Sequence, residues 1–201
     1  MALLAGLTGN MGSGKTTVAS LLQELGAYII DADKICRELV LPHKAAWNEI
    51  IRFFGKEILQ EDQSLDRKKL ADLVFNNKTN KAALEKILHP KVIAEEKNIY
   101  QQIVKKDPRA LVIVDAALLI ESGNYREMNK VIVVTCDRNT QINRAMNRTT
   151  LSQEEVELRI SGQMSQEDKI KKADCILENN GSLHELKKKV EGLYRQLQNL
   201  T

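Results

Sequence analysis

Apolar and polar positions along the 201-residue chain fall into two patterns. Short unbroken apolar runs occur at Ala2–Leu7, Tyr28–Asp31, Ala110–Asp115 and Lys130–Thr135, with a shorter one at Asp174–Glu178. Runs that are apolar on both faces suit parallel strands covered by helices on each side. Elsewhere the apolar residues recur at helical spacing. Val18, Leu21, Leu22 and Leu25 follow the first run and stop at Gly26, a residue suited to the C′ position. From Lys34 to Asp107 helical patterns dominate, over 44–54, 67–75, 81–88 and 92–104, with no convincing parallel strand among them. That stretch reads as a helical insertion into an α/β core. Its Trp47 belongs to the insertion's own core, with Ile50, Ile51 and Phe54, and His89-Pro90 marks a helix boundary with Pro90 at N1. Two charged helical segments, 138–148 and 153–165, precede the last strand. Ser152 with Glu155, and Ser182 with Glu185, are capping-box signatures for the second of these and for the final helix.

Composition narrows the class without choosing a reaction. Apolar content of 43%, charged content of 28% and a net charge of +3 are ordinary for a soluble globular chain. The basic excess suits an anionic ligand and is too small to argue for nucleic acid. Three scattered cysteines, Cys36, Cys136 and Cys175, form no C-x-x-C pair and read as buried thiols in a reducing compartment. No basic leader precedes the first strand and no apolar run reaches the length of a membrane span, so a cytoplasmic protein with no membrane partner is expected. A monomer or weak homo-oligomer is expected.

The chemistry begins at Gly9-Asn10-Met11-Gly12-Ser13-Gly14-Lys15-Thr16, which fits the phosphate-binding pattern G-x-x-x-x-G-K-[ST]. It lies between a strand and a helix, the context the motif requires. Glycines let backbone N–H groups converge on one anion at the positive end of a helix. Lys15 would reach the β- and γ-phosphates and the Thr16 hydroxyl would ligate Mg²⁺. The expected fold is therefore α/β: a doubly wound, five-stranded parallel P-loop sheet with helices on both faces. Residues 1–33, 108–137 and 166–201 would form the core, 34–107 the insertion and 138–165 a lid.

No N-K-x-D follows a later strand, and Asp115 precedes Ala116 rather than a glutamate, so transfer to a bound acceptor is favoured over hydrolysis. Asp115, ending its strand, suits either the metal or a turn cap. Asp33 suits a general base that takes a proton from an acceptor hydroxyl, and equally the N-cap of a helix starting at Lys34. Asp31 would point to the same side of a continuing strand and suits metal or water. Arg144 and Arg148, four apart, share a helix face, and Arg159 with Gln163 repeats the spacing; both pairs suit a lid over transferring phosphates. The lysines at 169, 171 and 172 read as a solvated helix end.

Together these pieces resemble the dephospho-CoA kinase family over nearly the full length. The resemblance rests on Leu7–Thr17, Ile30–Asp33, Arg37–Val40, Leu65–Leu70, Val74-Phe75, Leu84–Pro90, Asp115–Glu121, Gln141–Arg148, Arg159–Gln163 and Ala173–Asn179. It implies transfer of the ATP γ-phosphate to the ribose 3′-hydroxyl of dephospho-CoA, with Mg²⁺, for which Thr16 and Asp115 are the candidate ligands read above. It assigns Asp33 the base role, with Lys15 and Arg144 also catalytic. ATP would be held by Asn10, Met11, Gly12, Ser13, Gly14, Lys15, Thr16 and Thr17, with the lid arginines Arg144 and Arg148 and with Asn179 near the adenine. His89 and Leu118 would join Asp33 at the acceptor, and 34–107 becomes the CoA-binding region. The chain departs from the family pattern at Ile120, at Ala116-Ala117, and at His43, where glycine is usual.

Overall fold

In a computed structural model, which describes residues 1–75 and 77–201, the chain forms two compact units, 1–31 with 100–201 and 32–99. Asn76 and the Phe75 side chain lie outside the described residues, so only Val74 of the Val74-Phe75 pair can be placed as a side chain.

The larger unit is built on five parallel strands, β1 (Leu3–Thr8), β2 (Tyr28–Asp31), β3 (Leu111–Asp115), β4 (Lys130–Thr135) and β5 (Cys175–Glu178), in the order β2-β3-β1-β4-β5. Leu3 to Leu7 pair in register with Leu111 to Asp115, and Ala5 to Thr8 with Lys130 to Val133. The central strands are the most apolar, as sheets covered on both faces require. Every residue of β3 is buried. Helix α1 (Lys15–Glu24) buries Val18, Leu21 and Leu22 in one core cluster with Leu7, Ile113, Ile132 and Leu177. Gly26, at φ 109°, ends that helix as the sequence predicts, and the Ala27 N–H returns to the Leu22 carbonyl.

The smaller unit is helical. It holds α2 (Ala32–Leu39), α3 (Ala45–Phe54), α4 (Arg67–Phe75) and most of α5 (Lys78–Lys106). Trp47, Ile50, Phe54, Ile58 and Leu65 form its core, with Ile51, Leu84, Ile87 and Leu88 packed against them, as expected for Trp47. The Trp47 indole N–H donates to the Gln63 carbonyl at 2.8 Å. One expectation fails here: α5 runs continuously through Pro90, so His89-Pro90 is not a helix boundary. In the larger unit, α6 (Arg138–Arg148), α7 (Gln153–Ser161) and α8 (Gln166–Ile170) precede β5, and α9 (Leu183–Gln198) closes the chain. The segment predicted as one helix over 153–165 stops at Ser161, and Ser165 caps the separate α8 by accepting the Asp168 N–H. Both predicted capping boxes are present, with each serine and its glutamate bonded reciprocally.

Candidate active site

The phosphate loop leaves the C-terminal end of β1 and enters α1 through Gly14, whose φ of 94° is left-handed. Only glycine adopts that conformation without strain. A Cβ on Gly14 would lie 2.1 Å from Asn179 Nδ2, and one on Gly12 would lie 2.2 Å from the Gln141 carbonyl oxygen. The loop is therefore wedged between α6 and the segment after β5, with no room for side chains at either glycine. Asn179, 6% exposed, donates from Nδ2 to the Ser13 carbonyl at 2.8 Å. The Arg144 guanidinium donates in turn to the Asn179 carbonyl at 2.8 Å. At the loop's tip, Met11 packs on the small core of Ala145, Val156 and Ile160 that joins α6 to α7. The Met11 N–H donates to Gln163 Oε1 at 2.9 Å and Asn10 Nδ2 to the Met164 carbonyl at 2.9 Å.

A cleft of about 360 Å³ opens on this loop. Gly12, Gly14, Lys15 and Thr16 form one side of it, and Ala117, Arg148, Arg159 and Gln163 contribute to the rest. Three cationic side chains, Lys15, Arg148 and Arg159, thus line a cavity floored by a helix N-terminus, an arrangement that attracts a polyanion. Arg144 and Arg148 share a helix and meet different partners: Arg148 lines the cleft, while Arg144 is tied to the Asn179 carbonyl. Lys15 is ion-paired with Asp115, the last residue of β3 and itself buried. Asp115 therefore faces the phosphate loop instead of acting only as a turn cap.

A family model described as dephospho-CoA kinase matches residues 3–185. A dephospho-CoA kinase from Bacillus cereus is 40% identical over 196 residues, which is 98% of each chain. The chain belongs to the dephospho-CoA kinase family. A protein of known structure from Thermus thermophilus superposes with a TM-score of 0.82 at 33% identity, covering 98% of both chains. A dephospho-CoA kinase from Campylobacter jejuni gives 0.71 at 30% identity, over 99% of this chain and 98% of that one. Membership in this kinase family makes the chain an enzyme, and the doubly wound parallel P-loop fold is as predicted.

Asp33 is exposed and lies in the first turn of α2, which starts at Ala32 and not at Lys34, so it is not that helix's N-cap. Because β2 ends at Asp31, no continuing strand alternation relates Asp31 to Asp33; Asp31 pairs in register with Asp115. His89 is half-buried within α5, Leu118 is 43% exposed in the turn after β3, and Thr16 and Thr17 occupy the first turn of α1. The three thiols are not equally buried: Cys136 is buried, whereas Cys36 and Cys175 are partly exposed. Burial raises the pKa of each.

The lysine run is the main correction. Lys171 and Lys172 are at the surface, but Lys169 is fully buried and ion-paired with Glu121 at 3.0 Å. Three identical residues in one run carry no local signal that separates them; only a partner far away in the sequence does. Glu121 ends the Asp115–Glu121 stretch that carries part of the family resemblance, yet nothing in its spacing points to Lys169.

Proposed function

We propose that this chain transfers the γ-phosphoryl group of ATP to the ribose 3′-hydroxyl of dephospho-CoA, releasing coenzyme A and ADP, in the cytoplasm and as a monomer or weak homo-oligomer. The observation that carries the reading is the cationic cleft on the phosphate loop, in a chain matched to dephospho-CoA kinase across residues 3–185. The backbone N–H groups of 12–16 cradle the phosphates at the start of α1. Lys15 exchanges its Asp115 partner for phosphate oxygens. Arg148 and Arg159 neutralise the charge that develops as the bond from Pγ to the ADP oxygen breaks. Asp33 accepts the proton of the 3′-hydroxyl as the new O–P bond forms, with His89 and Leu118 on the acceptor. Arg144 joins Arg148 as a lid arginine on the transferring phosphates, and Asn179 lies near the adenine of ATP.

The donor set suits Mg²⁺. The Thr16 hydroxyl and Asp115 carboxylate offer the hard oxygens that this ion takes alongside nucleotide phosphates. When bound with ATP, Mg²⁺ supplies charge neutralisation at the β- and γ-oxygens.

Coupled ADP release tests the reading. Dephospho-CoA should support faster turnover than AMP, CMP, UMP, shikimate or gluconate, and preference for any of those would overturn the acceptor. Asp33→Asn should lower kcat by about two orders of magnitude or more while ATP affinity, read by calorimetry, stays within about threefold. Wild-type turnover in that variant would remove Asp33 from the base role.

A further inference from the structure

Lys169 is 0% exposed although it belongs to a five-residue helix whose neighbours Glu167 and Asp168 lie at the surface. Its ammonium donates to the Ala117 carbonyl at 2.9 Å and pairs with Glu121 Oε1 at 3.0 Å. The same Ala117 carbonyl accepts the hydroxyl of Thr8 at 3.1 Å, and Thr8 is the last residue of β1 before the phosphate loop. Glu121 Oε1 also accepts the Met164 N–H at 3.2 Å. Met164 and its neighbour Gln163 are the two residues that grip Asn10 and Met11 of the loop. One ion pair, buried at its lysine end and partly exposed at its glutamate, therefore reaches the start of the phosphate loop through Ala117 and its tip through the Gln163-Met164 strap.

Stability alone does not account for this pair. Glu121 Oε2 is buried with no hydrogen-bond partner among the described residues, and a fully buried ammonium carries a desolvation penalty. Replacing such a pair with well-packed apolar side chains is often neutral or stabilising. What an apolar pair cannot do is hold the Met164 N–H and the Ala117 carbonyl at fixed positions. Burial pulls the Lys169 pKa below the usual lysine value, the nearby Lys15 ammonium acts in the same direction, and Glu121 opposes both. Glu121 is thus the group that favours the charged donor.

We propose that Lys169 and Glu121 are positioning residues for phosphoryl transfer. Their ion pair fixes the Gln163-Met164 strap on the phosphate loop, and with it the part of the cleft wall that carries Arg159 and Gln163. The inference rests on the kinase reading above for its catalytic consequence and on hydrogen bonds alone for the clamp.

The test combines Lys169→Met with Glu121→Leu in the full-length chain. Amide exchange of residues 162–165 in the nucleotide-free protein should accelerate about tenfold or more, while β1 and β4 amides keep wild-type protection. In the coupled assay kcat should fall about tenfold or more, with ATP affinity changed by less than about threefold and the thermal midpoint near wild type. Unchanged strap exchange, wild-type kcat, or a loss of activity that only tracks a lowered midpoint would each overturn the proposal. Should the double variant not fold, Glu121→Gln keeps the shape and removes the charge, and strap exchange faster by about threefold or more is then required. The exchange measurement uses neither acceptor nor turnover. A wild-type enzyme inactive on dephospho-CoA would therefore count against the function proposed above, and unchanged strap exchange against the clamp.

Discussion

Gly14 combines a left-handed backbone with a wall on its Cβ side, and the two constraints are separable. Gly14→Ala should destabilise the fold by roughly 2 kcal/mol or more, since an L side chain at positive φ costs about 1–2 kcal/mol before any overlap is counted. The overlap falls on Asn179 Nδ2, which already donates to Ser13, so nothing flexible can yield. Adding Asn179→Gly should restore only part of the loss in urea unfolding; full restoration would mean that the backbone conformation costs nothing. His43 shows the same rule from the other side. It stands where the family pattern has glycine, and it adopts φ 68° with its ring 5.2 Å from the Trp47 ring centroid. A departure noticed in the sequence thus marks a backbone position that glycine would fill without strain. The phosphate loop was legible because its residues act on their immediate neighbours. Lys169 was not, because its burial depends on Glu121, which no local pattern brings near.

Elements were legible where one interaction range dominates. The unbroken apolar runs of β2 and β4 give the observed strands residue for residue, and the serine–glutamate pairs give the observed starts of α7 and α9. Pro90 misled because its local penalty competes with packing. Leu84, Ile87 and Leu88 of α5 are packed against the Trp47 cluster, and that burial carries the helix through the proline. The residual cost should be measurable. Pro90→Ala restores a helical N–H donor and removes the ring from the carbonyl one turn earlier, and should stabilise the chain by roughly 1–3 kcal/mol. Thermal unfolding of the variant checks this. An unchanged or lowered midpoint would show that the helix axis is shaped to accept the ring. Asp33 misled in a milder way. Aspartate is as well suited to the first turn of a helix as to its cap, so the sequence could not decide where α2 begins.

At the scale of the larger unit, the cleft is assembled from segments distant in sequence: the loop after β1 with the start of α1, the turn after β3 at Ala117, α6 at Arg148, α7 at Arg159 and the strap after α7 at Gln163. Several helices of this unit carry hydrogen-bonded carboxylates in their first turn or at their cap, and that gives the unit an acid sensitivity of known sign. Asp137 caps α6 by accepting the Thr140 N–H at 2.8 Å, and this backbone bond, then the Thr140 hydroxyl, holds its pKa below the ordinary 3.8. Glu185 at the start of α9 is held below 4.5, first by the Ser182 backbone N–H and then by the Ser182 hydroxyl. Asp168 in α8 is lowered first by the Lys171 ammonium and then by Ser165. In each case the folded chain binds the proton less readily than the unfolded chain. The stabilisation is therefore present above the unfolded carboxyl values and is lost as pH falls through the depressed folded ones. The thermal midpoint should stay level down to about pH 5 and then decline toward pH 3. Asp137→Asn with Glu185→Gln should flatten that decline while leaving the midpoint at pH 7 nearly unchanged, because asparagine caps about as well as aspartate and glutamine completes a capping box. An equally steep acid limb in this variant would place the sensitivity on other carboxylates. A large loss at pH 7 would show that the charges act on the helix dipoles and not only through their hydrogen bonds.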